Sequence, residues 1–318
     1  VIGHLEGRAD RLSHSCSKGR FAVGSRSLYR KNNEFVYRSS VLAEQSTIIV
    51  TGCSSGIGAY CARALAKDGW RVFATARKPE DIAALEAEGL EAFYLDYTDQ
   101  ASITALVEAV AERTGGRIDA LFNNGAYGQP GAVEDVSTDV LRAQFEANFF
   151  GWHELTRQVV PFMRAQGHGR IVQCSSILGL LPYRYRGPYS ASKYALEAMS
   201  LTLRMELEGT GIFVSLIEPG PIVSRFTANA LKHIHDNIDL EGSHYAAEYK
   251  KQLARLDGSG PPNKSRLEPD AVHAVLLKAL TAKRPRPHYP VTTPAKQGMI
   301  LKRIMPSDWF YRLMGRLS

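Results

Sequence analysis

The segment Thr51-Gly52-Cys53-Ser54-Ser55-Gly56-Ile57-Gly58 limits the possible folds more than any other stretch of this chain. It follows the apolar run Thr47-Ile48-Ile49-Val50 and precedes an amphipathic stretch over residues 59–67, so it reads as strand, glycine turn, helix. Glycines in such a turn adopt backbone angles that other residues resist, and they let a pyrophosphate approach main-chain N–H groups at a helix N-terminus. A plain tight turn is the simpler reading of the glycines alone; the flanking strand and helix favour the phosphate reading. The alternation continues down the chain, with strands expected over residues 47–51, 70–76, 91–95, 120–123, 170–175, 212–218 and 288–291 and helical patterns filling most of the gaps. Near-continuous apolar runs such as Ile212-Phe213-Val214-Ser215-Leu216-Ile217 suit parallel strands buried on both faces. The expected class is α/β: a doubly wound, seven-stranded, mostly parallel sheet with helices on both faces and ligands at the carboxyl ends of the strands.

Tyr189-Ser190-Ala191-Ser192-Lys193 places a phenol and an ammonium four positions apart on one expected helix. Residues so spaced share a face, so the Lys193 charge is expected to favour the ionised form of Tyr189. Lowering a tyrosine pKa from ~10 by about three units takes roughly 4 kcal/mol, more than one cation usually supplies. A solvated surface pair is the bland reading of the same spacing.

The two motifs together resemble the short-chain dehydrogenase/reductase family, whose pattern is T-G-x-x-x-G-x-G followed by Y-x-x-x-K. The resemblance runs over residues 47–291 and is closest in character to the 17β-hydroxysteroid and retinol dehydrogenase-like members. It implies a Rossmann-type catalytic domain and reversible hydride transfer between a nicotinamide dinucleotide and a carbonyl or alcohol. It also implies the catalytic set. Tyr189 gives or takes the proton, and Lys193 binds the nicotinamide ribose and lowers the Tyr189 pKa with help from the oxidised nicotinamide. Ser176, thirteen residues before Tyr189, polarises the carbonyl, with Ser175 as its rival, and Asn148 anchors a proton relay. Without the other three members, Asn148 would read as an ordinary asparagine within a long helical pattern over residues 138–164.

Cofactor contacts are implied at Gly52, Ser54, Ser55, Gly56, Ile57 and Gly58, at Asp96 and Tyr97 after the third strand, and at Asn123 and Gly125. Tyr189 and Lys193 join them, as do Pro219, Gly220 and Ile222 after the sixth strand. Asn123-Asn124-Gly125-Ala126 departs from the family's N-N-A-G by exchanging its last two residues, which implies a local adjustment. Asp96 also reads as a turn aspartate. The second strand ends in Thr75-Ala76-Arg77-Lys78 without an acidic residue. A guanidinium there suits a 2′-phosphate where an acid would repel it, so NADP(H) is expected; a solvated strand-end cation is the simpler alternative.

Charge sits at the ends. Residues 1–45 hold eight Lys+Arg against four Asp+Glu and residues 283–318 eight against one, leaving 23 against 27 for residues 46–282. That distribution excludes a basic nucleic-acid face on the catalytic domain. Residues 1–45 read as a basic, disordered or adventitious extension, residues 46–292 as one catalytic domain with a substrate lid at about 221–265, and residues 293–318 as a basic amphipathic segment. This last segment suits packing over the substrate cleft, a partner subunit or an anionic membrane surface. Leu180, Leu181, Tyr183 and Tyr185 are expected to line the substrate pocket, where Arg184 and Arg186 either favour an anionic group or face water.

Cys16, Cys53, Cys61 and Cys174 form no C-x-x-C pair, and no apolar signal segment is evident, so reduced thiols and a cytoplasmic location are expected, with peripheral membrane association as an addition. Cys53 reads as a buried filler in preference to a reactive thiol. No metal is expected; His233-Ile234-His235-Asp236 lies in a polar stretch with poor ligand spacing. The resemblance implies an apolar ketone, aldehyde or secondary alcohol as substrate and a homodimer or homotetramer pairing through residues 138–164 and 189–208. The alternative is a non-catalytic NADP(H)-binding sensor or scaffold, whose mark would be a missing catalytic residue.

Overall fold

The computed structural model describes residues 27–31, 34–38, 45–257 and 265–317. The chain divides into two units, residues 1–44 and 45–318. In the first, β1 (Ser27–Lys31) pairs antiparallel with β2 (Glu34–Arg38). The sequence pattern predicts no strand there, although Tyr29 precedes Asn32-Asn33 and Phe35-Val36-Tyr37 follows it. Cys16 and the rest of that extension lie outside the described residues.

The second unit alternates strand and helix. In chain order it contains β3 (Thr47–Val50), α1 (Gly56–Lys67), β4 (Arg71–Ala76), α2 (Pro79–Ala87), β5 (Glu91–Tyr94), α3 (Gln100–Thr114), β6 (Ala120–Asn123), α4 (Thr138–Phe145), α5 (Gly151–Gln166), β7 (Gly169–Cys174), α6 (Gly187–Glu206) and β8 (Ile212–Glu218). Then follow α7 (Phe226–Asn237), α8 (Ala246–Leu256), α9 (Asp270–Thr281), β9 (His288–Pro290), α10 (Thr293–Ile304) and α11 (Ser307–Leu317). The sheet runs β5-β4-β3-β6-β7-β8-β9, and every pairing in it is parallel. Winding reverses between β3 and β6, which opens the crevice at their carboxyl ends where ligands bind in such sheets.

Alternation along the strands builds two cores. Ile48 and Val50 of β3 join Val72 and Ala74 on one face, packed with Leu65 of α1 and Leu276 of α9. Ile49 and Phe73 point the other way, onto Leu106 of α3 and Leu155 and Met163 of α5. Full burial of each large apolar side chain stabilises the fold by about 1.5–3 kcal/mol, so both faces hold the sheet flat against its helices.

Two segments add features that the sequence pattern does not show. The helical pattern over residues 138–164 is one unbroken run in which α4 ends at Phe145, a π-helical turn covers Glu146–Phe150, and α5 starts at Gly151. A Cβ at Gly151 would collide with the Tyr97 carbonyl, so the chain passes that point only as glycine. The polar stretch after β8 is largely helical. Ile234 of α7, Ile238 just beyond its end and Tyr249 of α8 close on Ala132 in a third core, and the Tyr249 hydroxyl accepts from Ala132 N (2.7 Å) and donates to Asp135 Oδ2 (2.5 Å).

Candidate active site

The turn from β3 into α1 is shaped by contact between two backbones. Gly52 has φ +70°, and a Cβ there would lie 2.5 Å from Gly125 Cα; Gly56 has φ +57°. A Cβ on Gly58 would strike the Gly52 carbonyl. Because Gly52 meets Gly125 itself, the exchanged Gly125-Ala126 order puts the smallest residue at the contact. Ser55 occupies the N-cap of α1 without a side-chain cap bond, and the first turn carries no acidic residue. Such a helix start suits an anion. Ser54 is exposed and Ile57 half-buried in the same turn. Cys53 is buried, its thiol donating to Val50 O (3.1 Å) and pushed up to about 12 by burial, as befits a filler.

Thr51 Oγ1 ties this turn to β6. It accepts from Asn124 N (2.7 Å) and Gly125 N (3.2 Å), and the Tyr97 hydroxyl lies 2.7 Å away and 2.9 Å from Asn123 Oδ1. Asn123 is fully buried and its amide donates to Thr156 Oγ1 (3.1 Å). The polar side-chain atoms of Tyr97 and Asn123 are therefore engaged inside the fold, where they brace the crevice from below. Asp96 accepts from Thr98 N (3.0 Å) and Thr98 Oγ1 (2.9 Å), a turn geometry. At the end of β4, Arg77 and Lys78 are both exposed, and the Arg77 charge reaches Tyr127 and His233.

Three strands separate the Asp96 end of the crevice from β7, or about 19 Å at ~4.8 Å per strand. At that second end the structure brings Ser176, Tyr189, Lys193 and Asn148 together. Ser176 caps the short 3₁₀ turn Ile177–Gly179, accepting from Leu178 N (3.1 Å), and its hydroxyl is near enough to the Tyr189 phenol to favour the ionised form of that phenol. Ser175 faces Gly179 and Glu197 instead, which separates the two serines. Lys193, one turn after Tyr189 on α6, is 1% exposed. Its Nζ donates to Cys174 O (2.8 Å) and sits 4.0 Å from the centre of the Trp152 ring and 5.8 Å from that of Tyr189. The Asn148 carboxamide, in the π turn, clasps the Tyr127 peptide, accepting from its N–H (3.2 Å) and donating to its carbonyl (2.8 Å), and approaches Ser192 Oγ (3.4 Å).

Burial sets the electrostatics here. Burial pushes the Tyr189 phenol above the ordinary tyrosine range, with only the Ser176 hydroxyl pulling it down. Burial also lowers Lys193 to about 8, although Glu197 opposes the fall. Desolvation is the largest cause at both residues. Trp152 and Tyr127, which hold Lys193 and Asn148, have no signal in the motif spacing; only the packing reveals them.

After β8, Pro219 O accepts from Ile177 N (2.9 Å), a Cβ on Gly220 would strike Thr292, and Ile222 bridges to Leu267. These contacts seat the Pro219-Gly220 turn beside the Ser176 segment. Residues 46–235 match the family described as short chain dehydrogenase. This chain belongs to the short-chain dehydrogenase family. It is 39% identical over 262 residues to the uncharacterized oxidoreductase YbbO of Escherichia coli strain K12, covering 82% of this chain and 91% of that one. It is 34% identical over 217 residues to retinol dehydrogenase 8 of Homo sapiens, covering 64% and 68%. Among solved structures it resembles an actinorhodin polyketide ketoreductase with NADPH, at TM-score 0.65 and 28% identity, over 79% of this chain and 97% of that one.

Behind the short-chain dehydrogenase site lies Glu197, one turn beyond Lys193 and 6% exposed, with no hydrogen bond of good geometry at either oxygen. Glu218 and His288 are close by, and His288 Nδ1 lies 2.6 Å from Glu218 Oε1. Glu197, Glu218 and His288 thus bring three candidate ligand atoms within 4.8 Å of one another, with the imidazole hydrogen-bonded to Glu218. The His233-Ile234-His235-Asp236 stretch lies on α7, where His233 stacks on Tyr127 at 4.3 Å and Ile234 is buried. Burial, reinforced by Glu218, pushes the Glu197 carboxyl up to about 8. The folded state then binds an extra proton between pH 4.5 and 8, so this group's contribution to stability falls as pH rises through that window. Glu197→Gln cannot ionise. Its stability relative to the parent is expected to improve by on the order of 3 kcal/mol between pH 5 and pH 8 in chemical denaturation. A difference that stays constant with pH would contradict the buried-acid assignment.

Proposed function

We propose that the chain is an NADP(H)-dependent carbonyl reductase and alcohol dehydrogenase acting on an apolar ketone, aldehyde or secondary alcohol. The observation that carries this reading is the gathering of buried Ser176, Tyr189 and Lys193 at one end of the crevice, with Lys193 Nζ held on Cys174 O and 5.8 Å from the centre of the Tyr189 ring. The dinucleotide fits the residues present. Gly52, Gly56 and Gly58 let the turn pack closely on Gly125, Ser224 and its own backbone, α1 offers its N-terminus to the pyrophosphate, and Ser54 and Arg77 lie exposed for the 2′-phosphate. When bound, NADPH supplies the hydride.

The protein's part is proton handling and orientation. Ser176 Oγ donates a hydrogen bond to the substrate carbonyl oxygen and holds it against Tyr189. The Tyr189 hydroxyl then gives its proton to that oxygen as negative charge develops there. A group so positioned contributes typically 10²–10⁴-fold in rate. Lys193, lowered to about 8, returns the proton to Tyr189 near neutral pH and carries the ribose contact. Asn148 holds the Tyr127 peptide and Ser192 beside it and anchors the water that links Lys193 to solvent.

The likeness to retinol dehydrogenase 8 supports an apolar substrate, and the ketoreductase solved with NADPH supports the phosphorylated dinucleotide. Asp96, Gly125, Pro219, Gly220 and Ile222 complete the cofactor groove in this reading, and α7 and α8 form the lid. Exposed Phe150 and Met199, on the π turn and α6, suit a homo-oligomer through those helices. No helix among the described residues is long and apolar enough to cross a membrane. Buried, unpaired Cys53, Cys61 and Cys174 accord with a reducing compartment such as cytoplasm.

Oxidation of NADPH and NADH across carbonyls of graded size and polarity tests the activity, and Arg77→Asp tests the cofactor. Loss of a charge-assisted phosphate contact plus the new repulsion is expected to raise KM for NADPH about 50-fold and that for NADH less than threefold. Equal effects on both would refute the 2′-phosphate role.

A further inference from the structure

Helices α10 and α11 close over the segment that follows Ser176. Gly298 packs against Leu181 and Ile177, Lys302 Nζ donates to Leu180 O (2.5 Å), and the Tyr183 hydroxyl donates to Leu317 O (2.8 Å). Arg184 lies against Gly315, and Phe310 is buried. The inner side of the helix pair is therefore accounted for by the wall of the substrate cleft.

The outer side is chemically different. Ile300, Ile304, Trp309, Tyr311 and Leu317 are 52–71% exposed. They stand among exposed Lys296, Arg303, Arg312 and Arg316. Across residues 283–318 eight Lys+Arg face one Asp+Glu, whereas residues 46–282 carry a slight acidic excess. A tryptophan and isoleucines at this exposure, ringed by cations with almost no acid, match the two demands of an anionic lipid surface: apolar side chains for the acyl boundary and positive charge for the headgroups. Tryptophan and long cationic side chains suit that boundary because each has an apolar body and a polar tip.

We propose that the outer face of α10 and α11 docks on an anionic lipid bilayer, and that the cleft walled by Ile177, Leu181 and Tyr183 takes its apolar carbonyl substrate from that bilayer. The second half rests on the proposed reductase activity; the docking does not.

The full chain is tested by flotation with vesicles of phosphatidylcholine alone and of phosphatidylcholine with about 30% phosphatidylglycerol, at 0.1 M and 0.5 M salt. Binding is expected only to the anionic vesicles and only at the lower salt, because surface attraction fades within a Debye length. The triple substitution Lys296→Gln, Arg312→Gln, Arg316→Gln is expected to lower partitioning about 100-fold. Arg316→Gln alone, the milder change should the triple variant misfold, is expected to lower it about fivefold. Trp309→Ser should weaken binding and remove a vesicle-induced blue shift in tryptophan emission. No binding to anionic vesicles, or binding indifferent to both salt and these substitutions, overturns the proposal. Self-association that Trp309→Ser abolishes, without vesicle binding, overturns it in favour of a second copy of this chain. Vesicle binding by a chain that reduces no carbonyl, even a water-soluble one, supports the docking and sinks the reductase reading separately.

Discussion

Tyr189→Phe is expected to lower carbonyl reduction at least ~10³-fold in kcat while the dissociation constant for NADPH changes less than about threefold. The phenyl ring keeps the shape of the site, including the edge contact with Phe226 at 5.3 Å, so the loss isolates the hydroxyl. No other proton donor is equivalent: Ser176 is an ordinary alcohol, and the Lys193 ammonium is held by Cys174 O. Fluorescence titration with NADPH separates binding from turnover. A variant that retains near-normal kcat would remove Tyr189 from the mechanism and leave the buried phenol as a packing residue. The pH profile adds a second check. Burial holds the Tyr189 phenol protonated through neutral pH, so loss of the proton donor is not expected to limit reduction at ordinary assay pH.

The second large effect concerns the backbone contact beneath the dinucleotide site. Gly52→Ala and Gly69→Ala both place a Cβ on a residue of positive φ, +70° and +89°. A left-handed conformation costs an alanine about 1–2 kcal/mol in either place. Gly69 has open space around it, whereas a Cβ at Gly52 would lie 2.5 Å from Gly125 Cα. Backbone on both sides cannot yield as a flexible side chain does, so β3 and β6 must separate at the crevice. Gly52→Ala is expected to lose at least ~2 kcal/mol more than Gly69→Ala, about 4–8 °C in thermal midpoint, and to bind NADPH at least about tenfold more weakly. Equal losses in the two variants would mean that the contact between Gly52 and Gly125 is soft and does not shape the cofactor groove.

Both expectations combine information of two kinds. The seven strands of the sheet were legible because buried parallel strands read as short apolar runs between glycine-marked turns, and all seven lie within one or two residues of their expected bounds. The family was legible from two motifs separated by more than a hundred residues. Less legible was the region after β8: α7 and α8 bury one side only, Ile234 and Tyr249, against a loop far back in the chain, and their polar outer sides mask that period. The π turn at Glu146–Phe150 leaves no compositional mark, since it arises from the close approach of Gly151 to Tyr97 and the grip of Asn148 on Tyr127.

The glycine turn at Gly52–Gly58 was thus readable in one dimension, because the freedom of a residue without a Cβ and the helix start that follows are local properties. Its partner was not. That Gly52 rests on Gly125, that Thr51 binds β6 to the turn, and that Tyr97 and Asn123 brace it from within are consequences of the sheet order, which places β3 beside β6. The same holds for Tyr189 and Lys193. Their spacing on α6 follows from helical geometry alone, whereas the direction of each pKa follows from how deeply the fold buries them.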